Sequence, residues 1–313
     1  MLPENTAFVF PGQGSQFIGM GKSLAEKYPA AQEVFAQADE LLGFSLSGLA
    51  WTGPEEALND TINTQPALMV HSVAALRVLQ ELIPGFQPNF VAGHSMGELS
   101  ALVAAAALPF QDALSLVRRR GELMKRAGTL SPGGMAAIMG LDIPTLDKIC
   151  VQASAPGEVV QVANDNCPGQ VVISGASAAL ERALPLARDA QARRVVPLPI
   201  SIAAHSPLMN HAQADFNQAV DSAQIQDPTR PIIGNVNARP MTSAAQIRAD
   251  LQAQLTSRVR WTESIQYMVS QGVKTFIEIG SGSVLTGLIK RIDREVNTLP
   301  LGTPEDFEKL LSA

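Results

Sequence analysis

Gly93-His94-Ser95-Met96-Gly97 has the G-x-S-x-G spacing that lifts a serine hydroxyl onto an abrupt strand-to-helix turn. A serine so placed can attack a carbonyl carbon and hold an acyl group as an ester, provided a base takes its proton. The surroundings strengthen the motif: Phe90-Val91-Ala92 reads as a short apolar strand upstream, and Glu98 to Leu108 as a helix downstream. Glycines suit both ends because the turn packs tightly and strains the serine backbone. At the start of the helix the backbone N–H groups are unpaired, so the Met96 amide can donate to a developing oxyanion. The plainer alternative is that Ser95 only caps that helix.

A second oxyanion donor is expected from Pro11-Gly12-Gln13-Gly14-Ser15-Gln16, the loop after a first strand at Ala7 to Phe10. Parallel strands bring their C-terminal ends to one side of a sheet, so this loop and the elbow should be neighbours. The loop also resembles a dinucleotide-binding G-x-G-x-x-G, but Phe17 replaces the third glycine, which argues against a pyrophosphate there.

Four histidines are available as the base. His71 lies within a helical pattern, His94 should leave the elbow on a different side from Ser95 with the cleft wall as its alternative place, and His211 sits in a polar helical stretch. His205 follows an apolar run, Val195 to Ile202, and precedes Ser206-Pro207, where a strand gives way to a loop. Functional groups are commonly presented at such ends, so His205 is the choice by elimination. Asp112, Asp142, Asp147, Asp165 and Asp189 fall between Ser95 and His205, and none has a setting that would orient the imidazole. A backbone carbonyl can do that work instead.

These residues need a scaffold, and the chain is long enough to supply one. Its 313 residues allow one large or two ordinary domains; 46% are hydrophobic and 17% charged, a globular composition. A net charge of -6 argues against nucleic acid as the main partner. Cys150 and Cys167 stand far apart, which suits neither a disulfide framework nor a thiolate metal site. The longest apolar stretch, Ala101 to Phe110, is about half of the ~20 residues a membrane helix needs. With no basic segment ahead of the first apolar run, the reading is a cytoplasmic protein without membrane association.

Helical patterns at Ser23 to Leu42 and Pro66 to Leu82 alternate with the first two strands, which implies a parallel sheet covered by helices. From about Gly133 the rhythm becomes βαββαβ: strand Met135 to Met139, helix Pro144 to Ala153, strands Val159 to Ala163 and Gln170 to Ser174, helix Ala178 to Ala190, strand Arg194 to Leu198. That order is the ferredoxin-like one, and residues 131–199 are read as an inserted subdomain within a main domain made of 1–130 and 200–313. Strands at Ile232-Ile233 and Thr275 to Ile279 and a helix at Val284 to Ile292 continue the main domain.

Six segments in order resemble the malonyl-CoA:acyl carrier protein transacylases of fatty acid and polyketide synthesis: FVFPGQGSQ at 8–16, GHSMGE at 93–98, RRRGELM at 118–124, NDNCPGQVVISG at 164–175, the His205 segment, and QGVKTFIEIGSGSVLTGLIKRI at 271–292. The resemblance covers essentially the whole chain. It implies an α/β-hydrolase-like main domain with a ferredoxin-like insertion. It also implies a ping-pong reaction in which malonyl leaves coenzyme A, rests on Ser95, and passes to the phosphopantetheine thiol of an acyl carrier protein, with no cofactor and a monomeric enzyme expected. Carried over by position, His205 is the base, Gln13 and Met96 give oxyanion N–H groups, Arg120 holds the malonyl carboxylate, and Gln254 lies beside the histidine, whose ring a carbonyl holds. A guanidinium suits a carboxylate because it offers two parallel charge-assisted bonds. Without the resemblance, Arg120 reads as an exposed helix cation like Arg118 and Arg119.

Two departures stand out: Met96 where leucine is common, harmless if only the backbone donates, and Ile202-Ala203-Ala204 before the base, whose small Ala204 suggests a roomier acyl pocket. The rivals are a serine hydrolase that gives the acyl group to water, and a non-catalytic subunit that only docks a carrier protein. The absence of an HGGG-type motif and of a clear triad acid speaks against the first.

Overall fold

The computed structural model describes residues 3–312. Ten strands form two sheets: β1 Thr6–Phe10, β2 Phe90–Gly93, β3 Gly133–Met139, β4 Val160–Cys167, β5 Gln170–Ala176, β6 Arg194–Pro197, β7 Ile232–Ile233, β8 Pro240–Met241, β9 Thr275–Ile279 and β10 Asn297–Leu301. The first sheet runs β10-β9-β1-β2-β7-β8, parallel except for β8. Its centre, β1 and β9, is buried along its full length, as expected of strands covered by helices on both faces. Because β1 and β2 are parallel neighbours, with Phe10 opposite Gly93, the loop after β1 and the elbow after β2 emerge side by side.

The second sheet, β4-β5-β3-β6, is antiparallel and is built from residues 133–197. Alternation along β3 separates its two faces. Ala136 and Ile138 pack on the helices Ile143–Ala153 and Ser177–Asp189, whereas Met135 and Ala137 point the other way, with Ala163 and Val172, toward Leu198, Ile200 and Ala204. That second face becomes one wall of the cleft described below. A parallel bridge between Asn164 and Val259 ties β4 to the segment leading back into the larger sheet.

Several boundaries differ from the sequence reading, mostly at prolines. The helix expected over Ser23 to Leu42 is two, Lys22–Lys27 and Pro29–Leu42, because Pro29 starts a new helix at its first turn. The one expected from Pro66 begins at Thr61, capped by Asp60, whose side chain accepts from Ile62 N–H, and holds Pro66 inside it. Proline removes the N–H that would bond Ile62 O, and Arg118 Nη1 donates to that carbonyl instead at 3.1 Å. The elbow helix stops at Ala104, and Phe110–Leu130 follows as a separate helix after Pro109. The strand expected over Arg194 to Leu198 ends at Pro197 and the apolar run to Ile202 does not extend it, since Pro197 and Pro199 cannot donate to a ladder. Short helices at Leu46–Thr52 and Glu55–Asn59 carried too little periodicity to be read.

Candidate active site

Ser95 sits at the corner between β2 and the Gly97–Ala104 helix with φ 52°, a left-handed conformation that a side-chain-bearing residue holds only under constraint. The constraint comes from the glycines. A Cβ on Gly93 would lie 2.0 Å from the Gly97 carbonyl, and one on Gly97 would lie 2.3 Å from Phe10 O. A larger residue at Gly97 would push the elbow away from β1, and one at Gly93 would open the elbow itself. The Ser95 N–H donates to Asn235 Oδ1 at 2.8 Å and its carbonyl accepts from Gln254 Nε2 at 3.2 Å, so both sides of the strained peptide are held.

His205, 110 residues further on, meets Ser95 with Nε2 2.8 Å from Oγ. Its Nδ1 lies 2.9 Å from Gln254 O and 3.1 Å from Ser257 O, and carbonyls only accept, so Nδ1 carries the proton. Nε2 is therefore the free lone pair, and the serine hydroxyl donates to it. No carboxylate bonds this ring among the described residues, so the pair is a serine–histidine dyad oriented by backbone. His205 also has a positive φ, 57°, and is buried. Burial, and then the positive charge of Arg120, push its pKa down to about 3.

The folded state favours neutral His205, so its contribution is complete above the unfolded value near 6.5 and is lost as pH falls from there toward about 3. Wild-type protein should thus lose more melting temperature between about pH 6.5 and pH 4 than His205→Gln does. Parallel melting curves for the two proteins across that range would show the imidazole not to be held neutral.

Arg120 is 2% exposed, whereas Arg118 and Arg119 reach the surface and pair with Glu122. Its Nη1 donates to Gln65 Oε1 at 2.8 Å, and its Nη2 donates to Gln254 Oε1 at 2.9 Å and to Ser95 Oγ at 3.1 Å. Its Nε has no acceptor and no carboxylate pairs with it among the described residues. Burial lowers its pKa to about 10, which still leaves it charged at neutral pH. A buried guanidinium held by two neutral amides and a hydroxyl has the charge to receive an anion.

Met96 and Gln13 both line the cleft, which encloses about 490 Å³. Neither backbone N–H is spent on an acceptor among the described residues, as an oxyanion pocket requires. Thr61 Oγ1 donates to the Gln13 side chain at 3.0 Å and fixes that loop. Met135, Ala137, Val172, Leu198, Ile200 and Ala204 give the cleft an apolar wall beside the dyad. His94 lines the cleft too, its Nε2 2.8 Å from Asn166 Oδ1, while His71 is buried against Gly302 O and His211 is exposed.

All six residues expected at the site meet there. Gln254 does more than sit beside the histidine: its carbonyl holds the ring and its side chain bridges Ser95 and Arg120. The sequence reading missed Gln65, Asn235 and Asp250, and gave Glu98 no role beyond starting a helix and closing the GHSMGE segment. Nothing local to Gln65, Asn235 or Asp250 signals a role; Glu98 at least follows the elbow directly.

The profile of the acyl transferase domain family matches residues 7–301. The malonyl CoA-acyl carrier protein transacylase of Bacillus subtilis is 48% identical over 302 residues, 96% of this chain and 95% of that protein. An acyl carrier protein S-malonyltransferase from Vibrio cholerae has the same fold, with a TM-score of 0.94, 44% identity and coverage of 98% of this chain and 100% of that one. A malonyl-transacylase solved in complex with a type II polyketide synthase acyl-carrier protein superposes with a TM-score of 0.94 at 41% identity, covering 99% of each chain. With a family match from its first strand to its last and a hydroxyl, an imidazole and an unpaired guanidinium converging in one cleft, the chain belongs to the acyl transferase domain family.

Proposed function

We propose that this acyltransferase moves malonyl from coenzyme A to the phosphopantetheine thiol of an acyl carrier protein by way of a Ser95 ester, in fatty acid biosynthesis. The observation that carries this reading is the position of Arg120, a buried cation with no carboxylate bonded to it among the described residues, whose Nη2 is 3.1 Å from the Ser95 hydroxyl. A carboxylate bound there places the other end of a three-carbon diacid thioester at the hydroxyl. The relatives' names supply the acyl group and the carrier, and the apolar wall and open cleft leave room for both.

In the first half-reaction Ser95 Oγ attacks the thioester carbonyl and His205 Nε2 takes the hydroxyl proton. The oxyanion is held by the N–H groups of Met96 and Gln13. Collapse breaks the C–S bond, and the imidazolium returns the proton to the departing thiolate. The second half runs in reverse: the carrier's thiol gives its proton to His205, its sulfur attacks the ester, and Ser95 Oγ leaves with that proton. Every proton moves through His205, so the cycle needs no resident metal or cofactor. No helix of the described residues is long and apolar enough to cross a membrane.

Malonyl-CoA alone should leave one equivalent of ester on the Ser95 peptide, and adding phosphopantetheinylated carrier protein should discharge it onto the carrier. Both are read by mass spectrometry. Discharge to water at the same rate with and without carrier would make the chain a hydrolase, and absence of the ester would make it a non-catalytic docking subunit.

A further inference from the structure

Glu98 is fully buried at the second position of the elbow helix. Its Oε2 accepts from Asn235 Nδ2 at 2.8 Å and from Gln254 Nε2. Each of these amides grips the reacting groups with its remaining atoms. Asn235 accepts the Ser95 N–H on Oδ1, and its Nδ2 also donates to Gly93 O at 2.8 Å. Gln254 donates to the Ser95 carbonyl, accepts from Arg120 on Oε1, and holds His205 on its backbone oxygen. An amide with its nitrogen tied to an acceptor has its oxygen fixed on the opposite side. One carboxyl oxygen thus sets which way both amides face.

The other oxygen of Glu98, Oε1, is buried without a donor, and so is Oδ2 of Asp250, from the Ala244–Gln254 helix. Two such oxygens are satisfied together when one carries a proton and gives it to the other. Burial first, and the neighbouring Asp250 charge second, raise the Glu98 carboxyl well above the usual carboxylate range. Asp250 is raised by burial as well, against the hydrogen bonds it receives from Glu98 and from the Val236 and Asn235 backbone. Asp250 and, through Gln254, Arg120 are the charged groups that face Glu98.

We infer that Glu98 is a positioning residue for the transfer reaction proposed above: as a neutral acid whose proton is shared with Asp250, it orients Asn235 and Gln254 and so fixes the Ser95 backbone and the Arg120 guanidinium. Neutrality matters as much as position. An ionised Glu98 would become the internal counter-ion of Arg120 and compete with the substrate's carboxylate. The neutral form presents the same acceptor oxygen to both amides and leaves Arg120 to the substrate.

Glutamine reproduces the neutral acid atom for atom, with Oε1 as the acceptor toward the two amides and Nε2 as the donor toward Asp250; methionine keeps the bulk and loses both functions. The test measures ester formation on Ser95 from malonyl-CoA by rapid quench and mass detection, from about pH 6 to pH 9, with the melting temperature of each variant. Glu98→Gln should react within about threefold of wild type at neutral pH, and Glu98→Met about 100-fold or more slowly. Any slowing of wild type toward alkaline pH through loss of the shared proton should be smaller in Glu98→Gln. A Glu98→Gln protein that melts like wild type yet acylates about 100-fold more slowly overturns the inference, because the anion would then be the working form. So does a folded Glu98→Met protein with wild-type rate; if that variant does not fold, the glutamine result decides. Wild-type protein that forms no ester at all marks failure of the functional reading, a different outcome from acylation by wild type alone.

Discussion

Ser95→Ala protein is expected to transfer malonyl about 10⁴- to 10⁶-fold more slowly than wild type, with thioester binding largely kept, since the substitution removes only the atom that forms the covalent bond. The 2.8 Å contact with His205 makes the hydroxyl and the imidazole one device, so His205→Ala should show a loss of similar size and the double variant little more than either single one. What survives should come from the backbone donors of Met96 and Gln13, which neither substitution touches. Transfer at near-normal rate by Ser95→Ala, with no ester detectable on any peptide, would mean that the acyl group passes directly between thiols and that the elbow serves only to shape the cleft.

Arg120→Ala should separate acyl groups. Removing one member of a buried charge pair costs about 2–5 kcal/mol, or roughly 30- to 5,000-fold, and that penalty falls only on a substrate that brings a carboxylate. The ratio of kcat/KM for malonyl-CoA to that for acetyl-CoA should fall by this factor, because an acetyl group never reaches the guanidinium. Some loss common to both substrates is also expected, since Arg120 Nη2 donates to Ser95 Oγ and to Gln254, which bridges Ser95. Arg120→Lys should recover part of the discrimination and not all of it, as a single ammonium cannot repeat the forked contact. Equal losses for the two thioesters would remove Arg120 from carboxylate recognition and leave it a structural cation. The small Ala204 bears on the same measurement: it lies on the apolar wall beside the dyad, so methylmalonyl-CoA belongs in the panel as the test of extra room.

The sequence by itself determined the features that are local. A short apolar strand, two glycines around a serine, and a helix after them specify the elbow, because close packing between Gly93, Gly97 and Phe10 admits no Cβ. The βαββαβ order likewise specified the antiparallel sheet, through periodicities of two and 3.6 that neighbouring residues reveal. Errors at this level fell at Pro29, Pro66 and Pro197, where one residue decides whether a pattern is continued or cut. From its own surroundings His205 was legible only by elimination; the family resemblance placed it by position.

The tertiary structure alone decided the rest, since those facts depend on atoms brought together from distant parts of the chain. Apart from the resemblance, three arginines in a row are equivalent by residue type, and it is the packing of the Phe110–Leu130 helix that sends Arg120 inward while Arg118 and Arg119 face out. The carbonyls of Gln254 and Ser257 that orient His205 leave no trace in residue type, because every residue has one. The paired acids Glu98 and Asp250 lie 152 residues apart, and nothing in either neighbourhood announces the other. Periodicity and propensity report what a residue does with its near neighbours; a charge turned inward, a backbone acceptor or a shared proton exists only once the chain has closed around it.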